Sequence, residues 1–569
     1  MRCAGDAGER RRPLTHTLTA MPHLLCLDLG TSAAKVALLD LDGTVHRRAE
    51  APYPTRHAAD GTAEQDPRDW ERAARAVIAE LLEAAPAAKA SGDGAAPAPV
   101  PDTAPDVEVA ALVLTGQMQN LVPVPRSGAA SIAILYSDTR AGAEAEELRA
   151  ALAADGVSWD ALTGNLQDAT SCAAMHLRLL RTAPEQLADL QGVVFGPAGY
   201  LVARMGLGLW CDPTTAATTG LLEARTRDWS PAVARAAGLD PALLPALTGA
   251  AGQIVGHAGA EATALLGVPD GLPVVLAPGD AGATTCGIVG LAPGDAYVYL
   301  GTSGWLASVL PGTGTSPTGA QDAGGEPDGD EPDGVESAGE GSAGDEPAGV
   351  SHHLALGTSS ATAEPPILRI SALLSAGAAA DWARQAVLDG ADPGRADQLL
   401  EAREQERGRG PSGLLALPSI VGERFPVRDG DLRGAVVGID AGTRGIDLYA
   451  AMLEGVAHGL AHGLEHADGT SPRPLPVTGG GAASAPWLRI LADVTGRPVR
   501  TVDGTDAALL GCALVAAEAL GLDHALVPLG ARQEAATIVP DPSAAAQHAA
   551  LRPAHRALYD AAAQVQRLP

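Results

Sequence analysis

Short apolar runs broken by glycine turns set the pattern from Leu24 onward. LLCLDLGTSAAKVALLDLDG reads as a strand, a turn, a second strand and then the turn Asp42-Gly43, a β-hairpin with Asp28 at the end of its first strand. The same turn returns far downstream: Leu300-Gly301-Thr302-Ser303 closes AYVYL as Leu29-Gly30-Thr31-Ser32 closes HLLCLDL, which marks an internal repeat. Between the two, Glu64-Gln65-Asp66-Pro67-x-x-Trp70 predicts a helix start, with Pro67 in the first turn and the helix running to about Ala85. VAALVLTG predicts a buried strand that delivers Gln117, Met118, Gln119 and Asn120 at its carboxyl end. SIAILYSDTRA predicts another that delivers Tyr136, Asp138 and Arg140. Ligands collect at such strand ends in an α/β sheet, although Asp138-x-Arg140 also suits a local ion pair. ILRISALLSAGAAADWARQAV predicts a strand and a helix, and GLLALPSIVGERFP a further strand segment.

Composition narrows the class. A chain of 569 residues with 46% hydrophobic content and alternating strand and helix patterns predicts a folded α/β protein of enzyme size with at least two domains. A net charge of −29 disfavours nucleic acid and anionic lipid as main partners, while a small anionic ligand met locally by metal and backbone donors remains compatible. The six cysteines contain no Cys-x-x-Cys, which fits a reducing compartment, and the chain reads as cytoplasmic. No apolar run reaches the roughly 18 residues of a membrane span. Residues 1–21 read as a disordered extension without the apolar stretch of a secretory signal, and Met21 stands as an alternative start. Residues 86–106, rich in Ala, Pro and Gly, read as a surface loop. Residues 312–350 hold ten acidic residues and no Lys or Arg, which predicts a disordered insertion in an exposed hairpin loop.

The stretch APGDAGATTCGIVGLAPGDAYVYLGTSGW gathers the candidate chemistry. It sets Asp280 before small residues that start a helix, then leads through a strand into the second Gly-Thr-Ser turn. Two such turns, with backbone N–H and hydroxyl donors at their tips, suit the grip of a polyphosphate from opposite sides. Asp280 equally suits a helix N-cap. The first turn lacks the G-x-x-x-x-G-K-[ST] spacing of a P-loop, and Lys35 falls inside the second strand. His458, His462 and His466 recur four apart on a helix; metal ligation is the sharper reading and a plain helix face the plainer one.

The chain resembles the FGGY family of carbohydrate kinases. Asp28-Leu29-Gly30-Thr31-Ser32-x-x-Lys35 is similar to the family's first phosphate loop. Gly116-Gln117-Met118 is similar to a xylulose kinase segment, as is Asp212-x-x-x-Ala216 through Thr219-Gly220-Leu221. Gly279-Asp280 falls where the family keeps its catalytic aspartate. Gly434-x-Val436-x-Gly438-Ile439 and then Asp447-Leu448-x-x-Ala451-Met452-Leu453-Glu454 reproduce its C-terminal signature. The run Gly479 to Ser484, followed by Trp487, resembles its adenosine-side loop. The resemblance implies two ribonuclease-H-like α/β domains of the actin/hexokinase type with an interdomain active-site cleft, over 22–290 and 291–525, followed by a helical tail at 526–569 that packs at the junction.

The resemblance further implies ATP and Mg²⁺, with Asp280 as catalytic base and Asp28 on the metal. Thr31, Ser32, Lys35, Gly301, Thr302, Ser303, Gly480, Gly481 and Ser484 would face the nucleotide. Gln117, Met118, Gln119 and Asp138 would join Asp280 around a sugar or polyol. A ketopentose such as xylulose is the first expectation, with ribulose, a hexulose, gluconate, erythritol and glycerol open, as is a non-catalytic sugar- and ATP-binding regulator. A homodimer is also open. Three positions depart from the family's pattern: His176 and Leu179 stand where a second signature has Lys and Trp, and Gln119 stands where xylulose kinases usually have His.

Overall fold

Two mixed β-sheets are built on one plan. The computed structural model describes residues 22–82, 108–312, 350–357, 365–465, 473–532 and 536–567. The first sheet holds β1 (His23–Leu29), β2 (Ala33–Leu39), β3 (Val45–Pro52), β4 (Val109–Gly116), β5 (Gln253–His257) and β6 (Pro273–Leu276), in the order β5-β6-β4-β1-β2-β3. The second holds β7 (Ala296–Leu300), β8 (Gly304–Leu310), β9 (His352–Ala355), β10 (Ile367–Leu373), β11 (Leu475–Thr478), β12 (Val499–Thr501) and β13 (Thr537–Ile538). Its order is β9-β10-β8-β7-β11-β12-β13.

In each sheet an antiparallel meander, β1-β2-β3 or β7-β8-β10, is joined on the other side of its first strand by two parallel strands, β4 and β6 or β11 and β12. An antiparallel edge strand, β5 or β13, closes each. The repeated Leu-Gly-Thr-Ser turn is the tip of the first hairpin in both, so the internal repeat read in the sequence is a duplicated domain. The first strand of each meander lies between its hairpin partner and a parallel strand, which is why HLLCLDL and AYVYL are apolar on both faces.

Helix α1 (Pro67–Leu82) opens on Pro67 as expected and lays Trp70, Ala73, Ala74, Val77, Ile78 and Leu81 on the first sheet at helical spacing. The far end of its expected span and the loop at 86–106 lie outside the described residues. Helix α2 (Asp280–Ile288) follows β6, and α5 (Ala507–Leu520) follows β12, at equivalent places in the two domains; between them lie α3 (Gly445–Glu465) and α4 (Ala485–Thr495). Helices α2 and α5 cross at glycines. A Cβ on Gly287 would lie 1.8 Å from the Ala507 carbonyl oxygen, and one on Gly511 1.9 Å from that of Ala283. Helix α5 also buries Leu509, Leu510, Cys512 and Ala513 against Leu24, Cys26, Ala37 and Val113 of the first sheet, so the two domains share a core at the floor of the cleft.

Several expectations change. SIAILYSDTRA keeps only the two-residue strand Ala133–Ile134, paired with the strand Ala63–Gln65. GLLALPSIVGERFP keeps only Leu415–Leu417. The acidic segment does not join a hairpin: β8 and β9 flank β10 on opposite sides. Residues 313–349 themselves lie outside the described set. The last helix, α6 (Pro542–Gln566), lies against the second domain instead of the junction, with Tyr559 and Ala562 packed on Leu417 and Leu432 and with His548 and His555 against α3. Among the described residues no helix is long and apolar enough to cross a membrane.

Candidate active site

Asp28 is the next-to-last residue of β1, in register with Lys35 on β2 and Thr115 on β4. Asp280 is the first residue of α2, with Gly279 in the cap position, and its Oδ1 accepts from the Ala281 N–H at 2.7 Å. The approach to Asp280 is held from three sides. Thr115 Oγ1 donates to the Pro278 carbonyl at 2.6 Å, and Gly279 N–H donates to Asp212 Oδ1 at 2.9 Å. A Cβ on Gly279 would lie 2.4 Å from Met118 and 2.7 Å from Thr215 Oγ1, so a side chain there would push the turn before Asp280 out of place. Asp212 also caps the short helix Pro213–Ala216 through the Thr215 N–H. The sequence shows Asp212 only as part of a motif; its hold on Gly279 needs the fold.

Burial pushes the Asp280 carboxyl up to about 7, with the nearby charge of Asp28 adding to the rise and the Ala281 N–H opposing it. Burial raises Asp28 to about 6, and Lys35 across the strand pair offsets part of that. Asp28 Oδ1 is buried without a protein partner.

The first turn is pinned through its carbonyls. Tyr53 O–H donates to the Gly30 oxygen, Gln65 Nε2 to that of Thr31 at 2.7 Å and Tyr53 N–H to that of Ser32 at 3.1 Å. The second turn is pinned likewise. Gly377 N–H meets the Gly301 oxygen at 2.8 Å, Ala376 and Ala378 N–H meet that of Thr302 at 3.0 Å, and Gly301 N–H meets that of Ser303 at 2.9 Å. Among the described residues the N–H groups of Thr31, Ser32, Thr302 and Ser303 take no backbone acceptor. With acceptors tied back and donors left over, both turns present the chemistry of an anion cradle.

Gly479 (φ 94°) lies against the second turn, where a Cβ would come within 2.6 Å of the Leu300 oxygen; one on Gly481 would come within 2.7 Å of Trp487. The loop at Gly480 and Gly481 and the second turn are thereby one surface. Below it a cavity of about 420 Å³ is lined by Thr284, Tyr297, Tyr299, Trp305, Gly479 and Asp503. The rings of Tyr299 and Trp305 stack there with centroids 3.9 Å apart.

On the other side, Gln117 is buried with its Oε1 unpartnered. Met118 packs on Gly279. Gln119, at φ 59°, donates through Nε2 to the Thr170 carbonyl at 2.8 Å. Asp138 does not join this group. Its oxygens take the Arg140 guanidinium and the Ala63 N–H at 2.9 Å, the local ion pair of the plainer reading. Ser484 is also engaged elsewhere, capping α4 through the Trp487 N–H and donating to Asp397 at 2.7 Å. Glu454 of the C-terminal signature receives Ser412 N–H and O–H and braces that loop. His458 and His462 face His548 and His555 in a buried row, and among the described residues no cluster fit to hold a metal occurs; His466 lies outside them.

Two duplicated α/β domains that face each other across a cleft, each with a donor-rich turn and with a buried carboxylate between, define an actin-type ATP phosphotransferase. Sequence profiles of the FGGY family of carbohydrate kinases match with the N-terminal domain over residues 23–287 and the C-terminal domain over 339–520, and the chain belongs to this family. It is an ATP-dependent sugar kinase acting on a small-molecule substrate. It is 28% identical to the xylulose kinase of Escherichia coli, over 88% of this chain and 91% of that one. It is 27% identical to the glycerol kinase of Rhodospirillum centenum, over 88% and 90%. The solved xylulose kinase of Rhodospirillum rubrum shares the fold, with a TM-score of 0.75 at 24% identity, over 96% of this chain and all of that one.

Proposed function

We propose that the protein transfers the γ-phosphoryl group of ATP to a primary hydroxyl of a ketose or related polyol, a ketopentose such as xylulose first among them. The observation that carries this reading is Asp280: a buried carboxyl raised to about 7, at a helix start braced by Asp212, beside the strand end that bears Gln117 and Met118. In its ionised form Asp280 accepts the hydroxyl proton while the substrate oxygen bonds to the γ-phosphorus and the bond to the β-bridging oxygen breaks, releasing ADP. Thr31, Ser32, Thr302 and Ser303 donate to the phosphate oxygens, with Gly301 shaping the second turn, and preorganised donors need no rearrangement as charge spreads in the transition state. Gly480 and Gly481 line the nucleoside side. Lys35 acts on Asp28 and through it on the phosphate end.

The unpartnered Oδ1 of Asp28 suits a hydrated Mg²⁺, an ion that keeps part of its water shell and takes few carboxylates. Such an ion, when bound, screens the charge of the phosphates. Asp138 and Ser484 are left out of the contacts, since their polar atoms serve the fold. Gly116-Gln117-Met118 and the likeness to a xylulose kinase favour the ketopentose.

Coupled measurement of ADP release with xylulose, ribulose, a hexulose, gluconate, erythritol and glycerol tests the choice. The highest kcat/KM is expected with xylulose. A higher value with glycerol or gluconate would replace the ketopentose, and no stimulation by any polyol would leave an ATP-binding regulator.

A further inference from the structure

One side chain touches both halves of the substrate cradle. Gln65 ends the strand Ala63–Gln65, is 4% exposed and uses both ends of its amide. Its Nε2 donates to the Thr31 carbonyl and to Thr55 Oγ1, each at 2.7 Å; its Oε1 accepts from Trp70 Nε1 at 2.9 Å and from Gln117 Nε2 at 2.8 Å. An indole nitrogen only donates. The atom facing Trp70 is therefore the amide oxygen, and the nitrogen of Gln65 must face Thr31. That orientation propagates: Gln117 meets an oxygen, so it presents its own nitrogen to Gln65 and turns Oε1 the other way. Gln117 is 2% exposed, and this Oε1 has no partner.

We propose that Gln65 is a positioning residue shared by the polyol pocket and the first phosphate turn, and that it holds Gln117 Oε1 as the acceptor for a substrate hydroxyl. The inference deepens the kinase reading and rests on it. A polyol that donates to Gln117 tightens the amide pair, and the other end of Gln65 holds the carbonyl that fixes the Thr31 turn. Polyol and nucleotide then favour each other's binding, and by linkage the coupling is the same from either side.

The test uses the full chain with Gln65→Met, Gln117→Met and the double variant, reading polyol KM, kcat, nucleotide Kd without polyol, and melting temperature. Gln117→Met is expected to raise polyol KM by about tenfold, the worth of one hydrogen bond, and to leave polyol-free nucleotide affinity in place. Gln65→Met is expected to raise polyol KM similarly and to weaken polyol-free nucleotide binding by roughly three- to tenfold. The double variant should match Gln65→Met alone in KM, because the second substitution removes an orientation already lost. Additive KM effects, or an unchanged nucleotide Kd in folded Gln65→Met, would overturn the proposal.

Should Gln65→Met fail to fold, Gln65→Glu keeps an acceptor for Trp70 and Gln117 and loses the donor to Thr31. Weaker nucleotide binding at unchanged polyol KM is then expected, and no change in either overturns the link. If no polyol stimulates ADP release by the unaltered protein, the kinase reading fails separately, and the polyol-free nucleotide titration still decides the tie between Gln65 and Thr31.

Discussion

A carboxyl held at about 7 is half ionised at neutral pH and takes up a proton far more readily than one near its usual value, which suits the proposed role of Asp280 as acceptor of a hydroxyl proton. Only the ionised form accepts, so kcat/KM should climb as pH rises through about 7. Asp280→Asn should lower kcat by on the order of 10² to 10⁴. The linkage runs the opposite way for stability. Because the folded-state value lies above the ordinary one of 3.8, the stabilising effect of the bound proton is complete below about 4 and is lost as pH rises through about 7. The Asn variant has no such proton to lose, so its melting temperature should fall less between pH 5.5 and 8 than that of the unaltered protein. Near-normal kcat in the folded variant would remove Asp280 from the mechanism.

At the scale of elements, the crossing of α2 and α5 tolerates no side chain. The atom that a Cβ on Gly511 would meet, at 1.9 Å, is a backbone oxygen of the partner helix, which yields only if the helices separate. Gly511→Val should destabilise by roughly 3 kcal/mol or more in urea unfolding, beyond ordinary overpacking. A loss under about 1 kcal/mol would mean that the crossing is loose.

The row of histidines between α3 and α6 makes a different prediction. Burial lowers His548 to about 4, His555 to about 3 and His458 to about 2, with Arg552, Arg556 and Arg403 adding repulsion and Glu465 beside His462 opposing it. Folded-state values below the ordinary 6.5 give stability that is complete above about 6.5 and declines as pH falls from there toward 4. His555→Gln, which still reaches the Ala416 carbonyl, should lose less melting temperature between pH 7 and 5 than the unaltered protein. An equal loss would free this row from the acid response.

Across the whole molecule, two regions stand out among the described residues in joining the domains. One is the shared core under α5. The other is the segment 141–250, which grips the edge of the second sheet: Asn165 exchanges two bonds of 2.8 Å with the His353 backbone, Thr214 Oγ1 donates to the Ala355 carbonyl, and Arg227 reaches the carbonyls of Gly357 and Pro365. A cleft tied at these two places is expected to close by rotation about the line between them when ligands bind, which would keep water from the γ-phosphate. Small-angle scattering with polyol and a non-hydrolysable ATP analogue should show a smaller radius of gyration than the free protein. An unchanged radius would count against hinge closure.

The sequence by itself determined the features that rest on neighbours in the chain. Apolar runs that end in Gly-Thr-Ser define β1 and β7, the small residues after Asp280 define α2, and the identical turns reveal the duplicated domain, because strand burial and turn geometry are written locally. The strand end that carries Gln117 and the helix start that carries Asp280 were legible for the same reason. What each polar side chain does there was decided only when distant segments met. The pair of Asp138 with Arg140 was legible locally, but the Ala63 N–H that also holds Asp138 is 75 residues away and Asp397 is 87 from Ser484, so neither of these long-range bonds has a local signal. Gln65 sits inside a motif that reads as a helix start, and only the packing of Trp70, Gln117 and Thr31 around it turns that amide into a link between two sites. The apolar run at 131–141 forms almost no strand because it meets the three-residue strand Ala63–Gln65 on one side and a single bridge to Leu121 on the other. A hydrogen bond needs its partner at about 3 Å, and the fold alone brings such partners together.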